Sequence, residues 1–382
     1  MMVLSDKDPN YRQCSVSVMD NIADPDITFD EKGVCNYYYE YIEAEKLFTL
    51  KGKEAENKVN QYVAEMKAYG KGKPYDCMLG VSGGVDSTYL ALLAKRLGLR
   101  VLCVHFDNGW NSELAVQNIE NIVSKCGFDL YTYVIDWNEF KDIQLAYFKA
   151  NVIDIEAVTD IAIFASLDKI CSEKNLNYII DGRNVWTEET LPKAWIFKDP
   201  GNLIDIHNKH GRIPLKSYPM LSKLRRAYIQ FQRPFHNVKL LNYIHYDKKK
   251  AKEDIIKELE WRDYGGKHYE SIFTRFYQGY ILPEKFKVDK RKAHLSNLIF
   301  AGQLTKEQAL SELQQPIYPA EQLKVDKEFV LKKLGFSEAD FETYIATPPV
   351  AHTQYKVIGA LVDDYPIFKF LKPIYKTLKG IK

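Results

Sequence analysis

Apolar positions gather in four short runs through the first half of the chain: "DCMLGVS" from Asp76, "RVLCVHFD" from Arg100, "DLYTYVID" from Asp129 and "NYIIDG" from Asn177. Runs of this length bounded by turn residues predict buried strands. Between them, apolar residues recur at helical spacing over about 86–97, 111–126, 139–149 and 156–174. Strands alternating with helices predict βαβ units, and so an α/β domain whose parallel sheet is flanked by helices on both faces. After about residue 235 the strand pattern fades, and "KKKAKEDIIKELEW", "TKEQALSELQ" and "DKEFVLKKLG" read as amphipathic helices. Three zones follow. Residues 1–70 hold a cysteine-bearing stretch and a polar helical segment, "EKLFTLKGKEAENKVNQYVAEMKAYG"; residues 71–235 form the sheet domain; residues 236–382 are mainly helical.

Composition changes this picture little. With 46% hydrophobic residues over 382 positions, the chain can bury a full core. A formal charge of +2 from 53 basic and 51 acidic residues gives no field that would by itself imply nucleic acid or membrane as partner. The first residues, "MMVLSDKDPNYRQ", lack the apolar core of a signal peptide, and no apolar run of about 18 residues occurs, so the expected location is cytoplasmic. Six scattered cysteines, three of them in apolar segments, fit reduced thiols in that compartment.

Candidate chemistry concentrates after the first strand, in Ser82-Gly83-Gly84-Val85-Asp86-Ser87-Thr88. In an open parallel sheet, ligands sit beyond the carboxyl ends of the strands. Two glycines allow close backbone approach, and helix-opening N–H groups with three hydroxyls suit a polyanion. The loop is neither Gly-x-x-x-x-Gly-Lys-Ser/Thr nor Gly-x-Gly-x-x-Gly, which disfavours γ-phosphoryl transfer and dinucleotide binding. Phosphate is the expected guest.

The stretch "SGGVDST" resembles the pyrophosphate loop of the N-type ATP pyrophosphatases, the PP-loop superfamily, which implies an adenine nucleotide alpha hydrolase-like (HUP-type) fold. By that resemblance Ser82, Gly83, Gly84, Val85, Ser87 and Thr88 contact the β- and γ-phosphates of ATP, and Asp86 helps to hold Mg²⁺. Asp107, Asn108 and Gly109 in "VHFDNGW" resemble the adenosine-side loop. Three further stretches, "DPDITFDEKGVCNYYYEY", "GRNVWTEETLPKAW" and "ILPEKFKVDKRKAHLSNLIFAGQLTKEQAL", are similar to the N-acetyl sugar amidotransferases of bacterial lipopolysaccharide and flagellin-glycan biosynthesis. That resemblance covers most of residues 14–315. It implies adenylylation of an acetamido oxygen by ATP, then displacement of AMP by ammonia to leave an acetamidino sugar.

Other roles stay open at this level. Asp181 is either a catalytic second magnesium ligand or a polar strand terminus. Arg183, Asn184, Thr187, Glu188 and Lys193 lie on the switch-point side of the sheet, where they are candidates for contact with the sugar or the α-phosphate. Trp195 either stacks on the sugar or packs. Lys287, Lys290, Arg291 and Lys292 form either a diphosphate-binding cluster or a solvated charged turn.

The chain departs from the family at its amino terminus, where two Cys-x-x-Cys pairs are usual. Cys14 and Cys35 remain, but Ser17 and Tyr38 hold the second positions. Two thiolates do not close a tetrahedral site, so a degenerate knuckle with weak or absent zinc is expected; a borrowed ligand and a Cys14–Cys35 disulfide are the alternatives. No cysteine stands in a glutaminase-like setting, and the resemblance implies a separate glutaminase subunit that supplies ammonia. A homodimer is compatible with the apolar helix faces near the carboxyl end. Two rivals remain: a PP-loop tRNA-modifying enzyme of thiolation or lysidine type, for which the basic and aromatic "KLRRAYIQFQR" is a thin RNA-binding surface, and a non-catalytic nucleotide-binding scaffold.

Overall fold

The strands fall where the apolar runs predict: β1 (Cys77–Gly80), β2 (Val101–Asp107), β3 (Asp129–Val134) and β4 (Tyr178–Ile180). A fifth, β5 (His236–Val238), completes an all-parallel sheet of order β3-β2-β1-β4-β5. The computed structural model describes residues 9–232, 235–266 and 269–357, with backbone only at 230 and 231. The targeting reading of the first eight residues and the part of the helical zone beyond residue 357 lie outside the described residues.

Period-two alternation along β1 and β2 divides the sheet into two apolar faces. Cys77, Leu79, Val101 and Cys103 pack beneath the helices Val85–Arg96, Glu113–Cys126 and Lys248–Leu259, through Leu90, Ile119, Ile122 and Ile255. Met78, Leu102 and Val104 face the other way, against Ile170 and Cys171 of the helix Ala157–Glu173. Helices therefore cover both faces. The order reverses between β1 and β4, which opens a crevice at their carboxyl ends.

A third core joins the segment from Cys14 to Tyr37 to the later helical zone. Cys14, Met19, Ala23, Ile27 and Cys35 share it with Phe140, Phe148, Phe276, Ile281, Val330 and Phe341. Lys292, on the helix Lys290–Phe300, forms a buried ion pair with Asp20, and Ser296 Oγ accepts from the Val18 N–H at 3.2 Å. The amino-terminal segment thus docks on the helical zone.

The structure corrects several expectations. β5 lies where the strand pattern fades, because three residues are too few to show a period. The polar segment at 45–70 is two helices, Asn36–Phe48 and Gly52–Tyr69, broken where Thr49 turns extended and Gly52 takes φ +58°. Pro200–His210 is a helix that periodicity overlooks, although Asp199 caps it and Pro200 sits in its first turn. A π-helical stretch, Tyr277–Phe286, leads into Lys290–Phe300.

Candidate functional site

At the carboxyl end of β1 the chain turns sharply, with Gly83 at φ +83°, and enters the helix Val85–Arg96. The first helical bond is Thr88 N–H to Gly84 O at 3.0 Å, so the N–H groups of Val85, Asp86 and Ser87 precede the ladder and point into the crevice. Ser82 Oγ accepts from the Gly84 N–H at 3.3 Å and lies 3.5 Å from Ser87 Oγ, which groups both hydroxyls at the loop. Both the Ser87 and the Thr88 hydroxyls donate to Gly84 O, at 3.2 and 2.7 Å, but Ser87 is only half-buried while Thr88 is fully buried, which removes Thr88 from the expected phosphate contacts. Val85 is half-buried against the sheet core.

Later segments wall the loop. Gly83 O accepts from Trp261 Nε1 at 2.7 Å and from the Tyr264 hydroxyl at 3.1 Å. Tyr246, deeply buried, donates its hydroxyl to Asp86 Oδ1 and so fixes that carboxylate's rotamer. Burial first and the neighbouring Asp86 charge second hold the Tyr246 phenol well above its ordinary pKa, so it stays a donor. A Cβ on Gly84 would stand 3.2 Å from Glu270 Oε1 and 3.3 Å from Ser82 Oγ, so the space above it admits only glycine without adjustment. None of Tyr246, Trp261, Tyr264 or Glu270 is signalled by sequence spacing; the aromatic-rich turn "WRDYGGKHYE" is the sole hint.

Across the crevice, a Cβ added to Gly182, two residues beyond β4, would stand 3.3 Å from the Ser87 backbone nitrogen. Asp181 does not present its carboxylate to a metal. Its Oδ1 accepts from the Arg183 N–H at 2.9 Å, and its Oδ2 accepts from Arg183 Nε at 2.7 Å and Asn237 Nδ2 at 3.1 Å. Burial alone would raise the Asp181 pKa, yet the Arg183 guanidinium outweighs it and holds the carboxyl below its usual value. Asp181 therefore orients Arg183, whose guanidinium is exposed at the crevice mouth.

The rest of this loop is largely structural. Asn184 is buried and caps the short helix Val185–Glu188 through the Thr187 N–H at 3.0 Å, and it engages Thr187 Oγ1 at 3.2 Å as well. Trp195 packs: it is buried, with Nε1 donating to Ala23 O at 2.8 Å, so it offers no face to a sugar. Glu188 is half-buried and Lys193 is exposed.

The basic run at 287–292 is dispersed, neither a phosphate cluster nor a solvated turn. Lys290 pairs with Glu156 at 2.8 Å; burial lowers its pKa but the Glu156 charge and bond raise it further. Arg291 grips Asp289 at 2.8 Å and the carbonyl of Gln315 at 2.9 Å, Lys292 pairs with Asp20, and Lys287 Nζ donates to Glu284 O at 2.8 Å.

Asp107 organises its own loop, accepting from the Gly109 N–H at 2.8 Å and Asn111 Nδ2 at 3.1 Å. Beside it lies a cleft of about 310 Å³ lined by Asp107, Asn108, Gly109, Val134, Ile135, Trp137 and Lys333. Lys333 Nζ donates to Gly109 O and lies 4.7 Å from the Trp137 ring centre.

The loop fits a triphosphate with its divalent cation. Its glycine cradle would be filled by a Cβ, its N–H groups are unladdered, and Asp86 offers hard oxygen. Among the described residues no group of three or more His, Cys, Asp or Glu stands close enough to hold a metal alone. Mg²⁺ with a nucleotide needs only one or two carboxylates, supplemented by phosphate oxygens and water.

Zinc does not fit the knuckle remnant. Cys14 and Cys35 are free, fully buried and adjacent, with the Cys35 N–H donating to Cys14 Sγ at 3.3 Å and Ser17 Oγ 3.9 Å from Cys35 Sγ. A side-chain hydrogen bond between the two sulfurs holds the Cys14 thiol below its ordinary pKa and raises that of Cys35. Tyr38 turns away, edge-on to Phe300 at 5.5 Å. Elemental analysis of chelator-treated protein should therefore find substoichiometric zinc; one zinc retained per chain would show that a further ligand completes the site.

Residues 76–187 match the family described as "Queuosine biosynthesis protein QueC", and residues 270–371 match "LPS biosynthesis protein WbpG-like, C-terminal domain". No curated protein matches the chain. Among solved structures, that of NMN synthetase from Francisella tularensis is 15% identical over 75% of this chain and 98% of that chain, with a TM-score of 0.38. The phosphate loop, Asp107 and Asp181 lie within the first match, and Glu270 opens the second. No helix among the described residues is long and apolar enough to cross a membrane.

Proposed function

We propose that this chain, which joins a PP-loop N-type ATP pyrophosphatase domain to a WbpG-like C-terminal domain of lipopolysaccharide biosynthesis, is an ATP-dependent, AMP-forming amidotransferase of an N-acetylated sugar. The observation that carries the reading is the placement of the phosphate loop at the switch point, beside Glu270, the first residue of the lipopolysaccharide-type match. An ATP-using sugar-pathway enzyme follows from the two matches. Amidination is the finer step proposed here.

In that reaction the acetamido oxygen attacks the α-phosphorus, the α–β phosphoanhydride bond breaks, and pyrophosphate leaves. Ammonia then adds to the imidate carbon and the C–O bond to AMP breaks, so oxygen leaves with AMP and nitrogen replaces it. Residues of the chain act by position. The N–H groups of Val85, Asp86 and Ser87 and the hydroxyls of Ser82 and Ser87 take the charge that builds on departing pyrophosphate. Mg²⁺, when bound, neutralises part of that charge, and Asp86, fixed by Tyr246, is the residue to hold it. Arg183, oriented by Asp181, faces the crevice where the α-phosphate and the acceptor would meet. Ammonia is proposed to come from a separate glutaminase subunit.

The test is pyrophosphate release with ATP, Mg²⁺ and ammonium over a panel of N-acetylated sugars and their nucleotide conjugates. Sugar-dependent release is expected, with a product lighter by about one mass unit as oxygen becomes NH. Release with transfer RNA and none with any sugar would replace this reading with tRNA modification. The basic stretch that favours RNA is already partly engaged, since Arg225 makes a bidentate contact to Asp168 at 2.8 Å.

A further inference from the structure

We propose that His105 is a positioning residue that ties the phosphate loop to the loop after β2, so that the two hold opposite ends of one nucleotide. The residue is buried near the end of β2, and both its ring nitrogens are engaged. Nδ1 lies 3.1 Å from the carbonyl oxygen of Val81, the residue that precedes Ser82. A carbonyl only accepts, so Nδ1 carries the hydrogen. Nε2 lies 3.0 Å from Asn111 Nδ2, and the same amide nitrogen donates to Asp107 Oδ1 at 3.1 Å. Turning the Asn111 amide over would set its oxygen against the Asp107 carboxylate, so the nitrogen faces the ring and Nε2 accepts. One neutral tautomer satisfies all of these contacts.

The bridge stands where the backbone ladder stops. Pairing of β1 with β2 ends at Gly80 and Val104, followed by one bond from the Val81 N–H to Val104 O at 2.8 Å. Beyond that rung side chains carry the connection, from Val81 O through His105 and Asn111 to Asp107, which also accepts from the Gly109 N–H at 2.8 Å. Asn111 is held from outside as well. The Ile272 N–H donates to Trp110 O at 2.8 Å and the Ser112 N–H to Glu270 O at 2.9 Å, so the segment that opens the second family match anchors the far end of the bridge.

The two loops offer different chemistry. The phosphate loop presents donors to an anion, whereas the cleft of about 310 Å³ beside Asp107 has apolar walls in Val134, Ile135 and Trp137, which suit a flat ring. β1 and β2 are neighbours, so their ends stand about 5 Å apart, within the span of one nucleotide. Fixed spacing between two such sites strengthens binding of a ligand that fills both, because the second contact is made within the complex. The inference rests on the reading that the loop holds ATP.

Calorimetric titration of the full chain with Mg²⁺ tests it, using α,β-methylene-ATP, which cannot release pyrophosphate, and inorganic triphosphate, which reports the phosphate loop alone. His105→Phe keeps a ring and loses both bonds. Asn111→Ala, at a half-buried position, breaks the same bridge from the other side and keeps the test open if His105→Phe does not fold. Each variant is expected to bind the ATP analogue about tenfold more weakly while holding inorganic triphosphate within about twofold of wild type. Because the two residues are links of one chain, the double variant should lose no more than the larger single loss, whereas independent damage would multiply. Unchanged analogue affinity in Asn111→Ala overturns the inference alone, as do equal losses for both ligands or losses that multiply. A wild type that binds the analogue but no inorganic triphosphate also overturns it, since the loop is then no separate site. A wild type that binds neither ligand overturns the ATP reading, and this inference with it.

Discussion

Asp86→Ala is expected to lower kcat/KM for sugar-dependent pyrophosphate release by about a thousandfold or more, near 4 kcal/mol of transition-state stabilisation. Asp86 sits in the first turn of the helix that opens the phosphate site, and Tyr246 aims its carboxylate. Charge on pyrophosphate grows as the α–β bond breaks, so an interaction lost here is lost mainly in the transition state and should appear in kcat. Asp86→Asn keeps an acceptor for the Tyr246 hydroxyl while removing the charge, which separates electrostatics from packing. A comparable loss in both variants, with unchanged melting temperature, is the expected pattern. If Asp86→Asn retains wild-type kcat, the carboxylate is not part of the chemistry.

The largest expected effect on stability lies far from that loop. Lys292→Met should destabilise the chain by about 3–5 kcal/mol, because it leaves Asp20 charged and fully buried without its partner. Asp20 also accepts from the Ala23 N–H at 2.9 Å, a bond too weak to replace an ammonium. The double variant Asp20→Asn with Lys292→Met should recover much of the loss, since removing both charges avoids the orphaned one. Urea unfolding of the four proteins in the cycle measures this. Equal losses in single and double variants would mean that the pair contributes shape alone.

That ion pair also explains what the sequence could and could not reveal. The strands and the phosphate loop were legible because their signals are local: apolar runs of fixed period, then two glycines and hydroxyls at a strand end. Lys290 and Lys292 looked like a patch because they are neighbours in sequence, but their partners Glu156 and Asp20 are 134 and 272 residues away. Thr88 belonged to the motif by type, yet helical geometry turns it inward to Gly84 O. Trp195 offered an aromatic face, yet the ring is buried in a core shared by distant segments and its Nε1 donates to Ala23 O. Tyr246 reaches Asp86 from 160 positions downstream, a distance no spacing pattern spans.

The docking of the amino-terminal segment on the helical zone has a consequence for biosynthesis. The segment that carries Cys14 is covered by residues as late as Lys306, whose Nζ donates to Cys14 O at 2.6 Å. A ribosome adding about 5–20 residues per second needs roughly 15–60 s to lengthen the chain by the intervening three hundred or so positions. Throughout that interval both thiols stand without their final cover, within reach of oxidants and of metal ions. The nascent chain therefore depends on a reducing environment, or on a chaperone, more than the finished protein does.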